Sequence, residues 1–294
     1  MCGSFGWFIF ATKSYGRHYG PACVTFFDEQ NALIDSCETE GEKIVVSALM
    51  INSGWYEPLI QHEAYILFLT ENPRPPGYTP RLNDTELSAL NTSILEPAGC
   101  RDQERACGAL RNPDSANRTV VEVCIKADDF YVENVFVPAF GDRDVDDLPQ
   151  DSSALFQPDF YLDFLANETV KVSMFIGATS TYSECSDAPD ELFERTGDDA
   201  RSWLKELGDL ANSGLKLLWE RSPFRVLFFF CLNWIGCSNS VLAMDRFGNE
   251  QLHATPLRNV TISRVNGVQG EPVAAVLNVG NLSFAYVYPP LASW

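Results

Sequence analysis

One serine of this chain lies in a context that could make it a nucleophile. Ser14 follows an apolar, aromatic run at residues 5–10, which predicts a buried strand, and precedes residues 22–36, whose apolar residues recur at helical spacing. Gly16 supplies a small residue for a tight turn between the two elements, although Thr12 stands where the strict Gly-x-Ser-x-Gly pattern has glycine. Because such a turn projects the serine hydroxyl away from the backbone, Ser14 is our candidate nucleophile.

A second buried strand is expected to support this turn. Residues 42–52 are β-branched and nearly uninterrupted in their apolar character, and residues 52–56 then form a turn. Ligands of open α/β sheets bind outside the carboxyl ends of the strands, so this turn is expected near Ser14. Trp55 in the turn is open to two interpretations, namely ordinary core packing or the wall of a substrate pocket.

Composition excludes some classes of partner. The chain has 294 residues, enough for one large α/β domain, with 40 acidic and 21 basic residues and a net charge of −19. Phosphates would be repelled, so no nucleic-acid partner is expected.

The phenylalanine-rich run at 224–230 is too short for a membrane span, which needs about 20 residues. The acidic run at 142–147 lacks the ligand spacing and glycine of a known calcium loop, so no metal is expected there.

Asparagine sequons and cysteines indicate an oxidising, secretory environment. The nine cysteines fit such a compartment, although their odd number leaves at least one without an intramolecular partner. No basic start or small-residue cleavage site of a signal peptide is visible. We therefore expect a secreted or vacuolar glycoprotein whose present sequence is a fragment of a longer one. Six asparagines head a glycosylation sequon: Asn83, Asn91, Asn117, Asn167, Asn259 and Asn281.

Several longer segments resemble one enzyme family. Residues 13–21 read Lys-Ser-Tyr-Gly-Arg-His-Tyr-Gly-Pro and are similar to the active-site segment of fungal serine carboxypeptidases, Glu-Ser-Tyr-Gly-Gly-His-Tyr-Gly-Pro. Residues 48–56, and two segments within 196–216, are also similar to that family. The resemblance implies an α/β fold: an incomplete α/β-hydrolase sheet with a helical, cysteine-bearing cap insertion. Its domains would be the hydrolase core at 1–56, the cap insertion and return to the core at 57–183, and the carboxyl-terminal part of the core at 184–294.

The family also implies a disulfide pattern in the insertion. By resemblance Cys107 pairs with Cys124, while Cys100 faces a position now filled by Tyr131. The other cysteines have no partner that the sequence can assign: Cys2, Cys23, Cys37, Cys185, Cys231 and Cys237.

The resemblance further assigns roles at the active site. Ser14 would form an acyl-enzyme with the carboxyl-terminal residues of peptides, and the backbone N–H of Tyr15 would be an oxyanion donor. Lys13 replaces the family's glutamate, which helps to bind the substrate's terminal carboxylate, and could attract that carboxylate by charge. No cofactor or metal is implied, and the sequence does not indicate an oligomeric state. The remaining substrate-binding residues would be Asn52, Gly54 and Trp55.

The catalytic partners of Ser14 are missing from their family positions. Neither a turn with aspartate after residue 219 nor a histidine after residue 288 is present. His18 is expected to pack away from Ser14, His62 lies in the insertion, and His253 lies in a segment that resembles a surface loop. His253, with Asp245 as its orienting acid, is the one candidate base that fits the chain order Ser…Asp…His.

Three functions follow from these observations. The first is a serine-type carboxypeptidase by family that is inactive as this chain stands. The second is a non-catalytic remnant or a peptide-binding pseudoenzyme, which fits the missing partners. The third is another α/β-hydrolase, such as an esterase, which should lack the carboxypeptidase-like cysteine insertion.

Overall fold

A six-stranded mixed sheet forms the centre of the protein. The computed structural model describes residues 8–71, 82–110, 117–143, 160–175, 177, 180–183, 186–221, 233–262, 270 and 272–288. The strand order is β1-β2-β3-β6-β5-β4, in which β1, β2, β3 and β6 are parallel and β5 and β4 are antiparallel to their neighbours. The strands are β1 (Phe8–Lys13), β2 (Val46–Asn52), β3 (Lys216–Arg221), β4 (Arg258–Thr261), β5 (Pro272–Val279) and β6 (Leu282–Val287).

The predicted strand and helix around Ser14 are present, with shifted bounds, but the strand is largely exposed rather than buried because it lies at the edge of the described sheet. Strand β1 ends at Lys13, directly before the serine, and helix α1 (Gly16–Asp35) begins two residues after it rather than at residue 22. Gly16 and Gly20 lower helix propensity, which delayed the predicted start. In the fold they allow close packing, because a Cβ on Gly16 would lie 2.9 Å from Thr12 Cβ and one on Gly20 would lie 3.0 Å from Leu49 Cδ1.

The helices that follow β2, as far as residue 173, form the cap region. Several of them enclose a second apolar cluster that contains Tyr65, Ile94 and Tyr131. Residues 87–95 have the composition of a short helix, and the helix starts earlier, at Asp84, because Asn83 and Glu86 form a capping box. The helices are α2 (Pro58–Glu71), α3 (Asp84–Leu95), α4 (Cys100–Leu110), α5 (Arg118–Tyr131) with a π-helical turn (Val132–Phe136), α6 (Val137–Phe140), α7 (Phe160–Ala166) and α8 (Glu168–Ser173).

The expected disulfide between Cys107 and Cys124 is confirmed. It joins α4 to α5, with a Cα–Cα distance of 4.8 Å. Cys100 belongs to no disulfide and is buried in the cap.

The segment 196–201 does not begin a helix. Its Thr-Gly-Asp-Asp sequence, followed by apolar residues at helical spacing, predicts a capped helix start, but these residues form turns between α9 (Asp187–Glu194) and α10 (Leu204–Asn212). Gly197 has a φ of +62°, and a Cβ there would lie 2.9 Å from Cys124 Cβ, so the chain turns where it meets α5. This turn carries Asp198 and Asp199 towards the start of α1, as described below.

The main core lies between the sheet and helices α1, α10 and α11 (Trp234–Ala243). Leu49, Ile51, Leu207, Leu217 and Leu282 are among its most deeply buried aliphatic residues. Helix α12 (Asn249–Ala254) packs against β5. Among the described helices, none combines the length and apolar character needed to cross a membrane. The phenylalanine-rich run at 224–230 and the tail at 289–294 lie outside the described residues.

Candidate active site

Ser14 occupies a strained turn at the carboxyl end of β1. Its φ is +54°, a left-handed conformation that costs a non-glycine residue roughly 1 kcal/mol or more. The Ser14 amide donates to the Asn52 carbonyl at 3.1 Å, and the Ser14 carbonyl accepts from the Arg17 amide at 3.2 Å. The side chain is exposed. This geometry is that of a nucleophile elbow, in which strand, sharp turn and helix present one hydroxyl to solvent.

The second strand end lies beside the first. Lys13 and Asn52 are partners in the register of β1 and β2, so the turn at 52–56 adjoins Ser14 as expected from the sheet topology. Ser53 also has a positive φ, of 45°. Lys13 is exposed and Asn52 is half-buried. The structure thus brings three of the predicted site residues, Lys13, Ser14 and Asn52, to one edge of the sheet.

Gly54 and Trp55 connect this edge to the cap. Gly54 cannot carry a side chain in this backbone, because a Cβ would lie 2.4 Å from Ile51 Cγ2. The half-buried Trp55 ring makes edge contacts with His62 and Tyr131, at centroid distances of 4.8 and 5.5 Å. Trp55 therefore packs against the cap, which supports the packing interpretation.

A buried arginine lies beneath the elbow, and the sequence analysis missed its importance. Arg17 is 2% exposed, with its guanidinium 5.1 Å from the Tyr15 ring centroid and 5.0 Å from that of Trp55. Burial lowers the pKa of Arg17, while the nearby Asp199 carboxylate opposes that change. The sequence shows that Arg17 replaces the glycine of the family motif, which marks the position as unusual. It does not show that the arginine side chain turns into the interior.

His18 lies under the elbow and is engaged with an acid. Its Nδ1 is 2.7 Å from Asp198 Oδ2, and the Tyr15 hydroxyl donates to the same oxygen at 2.7 Å. Burial, followed by the Arg17 charge, lowers the pKa of His18 to about 4. Although burial disfavours the Asp198 charge, the hydrogen bonds from His18 and Tyr15 hold the pKa of Asp198 below its ordinary value. The His18 ring is therefore neutral, and its Nδ1–H donates a hydrogen bond to the Asp198 carboxylate.

The other two histidines also have partners away from Ser14. His62 is buried in the cap and its Nδ1 bonds to Glu104. His253 is on α12 rather than in a loop, and its Nε2 bonds to the Leu242 carbonyl at 3.0 Å. Helix α12 packs on β5, four strands from β1, which corresponds to about 19 Å across the sheet. Asp245, the acid expected to orient His253, is exposed. Within the described residues, no hydrogen bond joins the Ser14 hydroxyl to a histidine.

The predicted oxyanion donor has a suitable position. Tyr15 is the N-cap residue of α1, directly after Ser14. The first N–H groups of a helix have no partner within the helix, and the positive end of the helix dipole lies there. A carbonyl oxygen at Ser14 would therefore develop its negative charge next to the amino-terminal end of α1.

Comparisons with known proteins identify the relationship. No family model matches the chain. Carboxypeptidase S1 from Penicillium janthinellum is 32% identical over 284 residues, which cover 96% of this chain and 61% of that protein. Carboxypeptidase S1 homolog B from Arthroderma otae is 28% identical, over 95% of this chain and 42% of its own length.

A solved structure supports the same fold. Kex1(delta)p, described as a prohormone-processing carboxypeptidase from Saccharomyces cerevisiae, superimposes with a TM-score of 0.64 at 15% identity, over 96% of this chain and 57% of that one. The protein thus has an α/β-hydrolase fold, and it spans about three fifths or less of the length of the relatives it matches. Over that span, the chain is homologous to the fungal serine carboxypeptidases.

Proposed function

We propose that Ser14 is the nucleophile of a serine-type carboxypeptidase. The observation that carries the proposal is the exposed, positive-φ serine at the β1–α1 turn, with the Tyr15 amide beside it. In the reaction, the Ser14 oxygen attacks the carbonyl of the last peptide bond, and the released carboxyl-terminal residue takes a proton. Water then hydrolyses the acyl-enzyme and restores the serine.

Recognition of the substrate's carboxyl terminus is proposed for Lys13. Its exposed ammonium lies at the end of β1, adjacent to Asn52 in the register. A cation in this place attracts a free carboxylate, whereas an amidated peptide offers no such charge. Asn52, Gly54 and Trp55 complete the proposed substrate-binding set.

We also propose that these 294 residues by themselves do not turn over peptides. Each histidine of the chain is engaged: His18 with Asp198, His62 with Glu104 and His253 with a backbone carbonyl. Without a base the serine hydroxyl stays protonated, and loss of one member of a catalytic triad typically costs several orders of magnitude in rate.

The nucleophile is tested with a fluorophosphonate probe and a blocked dipeptide. The chain 1–294 and its Ser14→Ala variant are compared, with circular dichroism to show that both are folded. We expect neither labelling nor release of the terminal amino acid above the Ser14→Ala background. Ser14-dependent labelling with amino-acid release would disprove inactivity and support the nucleophile. Ser14-independent hydrolysis would instead remove the nucleophile assignment.

Peptide binding without hydrolysis is the second candidate, and the exposed Lys13 favours it. Calorimetric titration with a peptide that has a free carboxyl terminus, and with its amidated form, separates charge recognition from general affinity. We expect binding of the free form alone, and a loss of binding in Lys13→Glu. Equal affinity for both peptides would contradict the role of Lys13.

A secretory location is proposed from the sequons. Five of the six asparagines are exposed: Asn83, Asn91, Asn117, Asn167 and Asn259. Asn281 differs, because it is half-buried and its Nδ2 donates to the carbonyls of Ala211 and Leu215 at 2.7 and 2.5 Å. Glycopeptide mapping after secretory expression should therefore find glycans on exposed sequons and an unmodified Asn281. A product whose mass does not fall on endoglycosidase treatment would contradict the proposal.

A further inference from the structure

Three side chains with different ligand atoms converge inside the cap. His62 is 2% exposed, Cys100 is 0% exposed and Glu104 is 4% exposed. One imidazole nitrogen, the thiol sulfur and a carboxylate oxygen all lie within 4.8 Å of one another. This group of three residues, here called the cap triad, is separate from the elbow residues Ser14 and Lys13.

The cap helices position the triad. Cys100 and Glu104 are four residues apart on α4, so they occupy the same face of that helix, and His62 approaches from α2. The imidazole of His62 is stacked on the Tyr131 ring, with a centroid distance of 3.5 Å and an interplanar angle of 3°. The Tyr131 hydroxyl is in turn 2.7 Å from that of Tyr65. The plane of the His62 ring is therefore fixed before any ligand binds.

The hydrogen bonds within the triad leave polar atoms unused. His62 Nδ1 bonds to Glu104 Oε1, but His62 Nε2 and Glu104 Oε2 have no hydrogen-bond partner among the described residues. Cys100 forms no disulfide; burial, followed by the Glu104 charge and a hydrogen bond between the thiol and Glu104, raises the pKa of its thiol. Buried polar atoms without partners destabilise a folded protein, so these atoms are available to bind a ligand.

We propose that the cap triad binds a zinc ion. His, Cys and a carboxylate are all zinc ligands, and three of them leave a fourth tetrahedral position for solvent or a backbone oxygen. The thiolate and carboxylate together offset the two positive charges of the ion, and the thiol proton is released to solvent on binding. Thiolate and imidazole disfavour magnesium and calcium, which take oxygen ligands.

The distances require only a small adjustment. Tetrahedral zinc with these bond lengths holds its ligand atoms about 3.5 Å apart. The largest separation in the cap triad is 4.8 Å or less, so about 1 Å of side-chain movement would complete the site. Because the three residues are closed off from solvent, we expect the ion to be taken up during folding and to link α2 to α4. This role is independent of the proposed peptidase activity.

The first test is refolding of the complete chain 1–294, after unfolding in urea with EDTA, in the presence of increasing amounts of metal. We expect one tight zinc site per chain, and with cobalt as a spectroscopic probe we expect the near-ultraviolet thiolate charge-transfer band. Cys100→Ala should abolish the band, and Cys37→Ala, which removes an exposed cysteine, should retain it. An absent band in the parent, or a band unchanged in Cys100→Ala, would overturn the proposal.

A second measurement covers the case in which Cys100→Ala does not fold. The parent chain is refolded with zinc or with magnesium, alkylated with iodoacetamide in urea near the midpoint of unfolding, where the otherwise buried Cys100 becomes accessible, and analysed by peptide mapping. Zinc alone should protect Cys100 and should raise the midpoint of thermal unfolding, whereas Cys37 should be alkylated equally in both. Equal alkylation of Cys100 in the two samples would show that no zinc–thiolate bond forms.

Discussion

Two histidine–carboxylate pairs with buried histidine rings lie in different regions of the described structure, and their surroundings differ. The pair His18–Asp198 lies under the elbow, and His62–Glu104 lies inside the cap. The Asp198 side chain is 25% exposed and receives a second hydrogen bond from Tyr15, whereas Glu104 is closed off and its second oxygen has no partner among the described residues.

These different surroundings indicate that the two histidine–carboxylate pairs have different roles. Under the elbow, the Asp198 carboxylate faces two donors and partial solvent, so it is satisfied and holds the 196–201 turn against α1, although His18 Nε2 has no hydrogen-bond partner among the described residues. In the cap, the pair has spare polar atoms and a thiol beside it, so it is less satisfied as a purely structural element. Substitutions at the two pairs should therefore have unequal effects.

The largest effect is expected for Glu104→Ala. It leaves the buried His62 without its acceptor and opens a cavity, and loss of one partner of a buried pair costs about 3–5 kcal/mol. Urea unfolding in the presence of EDTA measures the free energy, so that bound metal does not contribute. Asp198→Ala, at the partly exposed pair, should cost about 2 kcal/mol.

A surface pair on the neighbouring helix serves as the control. Glu122 bonds to Arg118 on the exposed face of α5, and Glu122→Ala should change the free energy of unfolding by no more than about 0.5 kcal/mol. A Glu104→Ala cost that is no larger than the Asp198→Ala cost would contradict the distinction between the two pairs.

Much of the elbow could be predicted from sequence, because it is local. Residues 5–36 carry the strand, the small residues and the helical periodicity in one continuous segment. The helix start was missed because intrinsic propensity disfavours Gly16 and Gly20, while packing against Thr12 and Leu49 favours them.

The two buried pairs could not be predicted in this way. His18 and Asp198 are 180 residues apart, and His62 and Glu104 are 42 apart, so no periodicity connects them. The family resemblance marked Arg17 as a departure, but its inward direction depends on the ring positions of Tyr15 and Trp55. Long-range partners of this kind are fixed by the tertiary fold alone.

The dependence of stability on pH should show whether His18 is neutral in the folded protein. The pKa of His18 in the folded protein is about 4, below its ordinary value near 6.5, so the unfolded chain binds the extra proton first as the pH falls. Stability from a neutral His18 is complete above pH 6.5 and decreases by about 3 kcal/mol as the pH falls to 4. The groups that face the ring are Asp198 and Tyr15, with Arg17 and Arg201 as nearby cations.

The measurement compares the parent with His18→Gln, whose amide can still donate to Asp198. The difference between their free energies of unfolding cancels the titration of other carboxylates. We expect the free energy of unfolding of the parent, relative to that of His18→Gln, to fall by about 3 kcal/mol between pH 7 and pH 4. Between pH 7 and pH 8 the difference should stay constant. An unchanged difference at pH 4 would show that the pKa of His18 in the folded protein equals its ordinary value, and a difference that grows towards pH 4 would show that this pKa is raised.

The elbow and the cap also differ in how closely the glycines of their helices are packed. A Cβ on Gly16 would lie 2.9 Å from Thr12 Cβ, under the elbow, whereas a Cβ on Gly108 in α4 meets no atom within 4 Å. Gly16→Ala should therefore cost about 1–3 kcal/mol through overpacking. Gly108→Ala should raise stability by about 0.5–1 kcal/mol, because alanine loses less backbone entropy in a helix. Thermal unfolding of both variants tests the contrast, and a destabilising Gly108→Ala would mean that α4 packs more tightly than its open surroundings indicate.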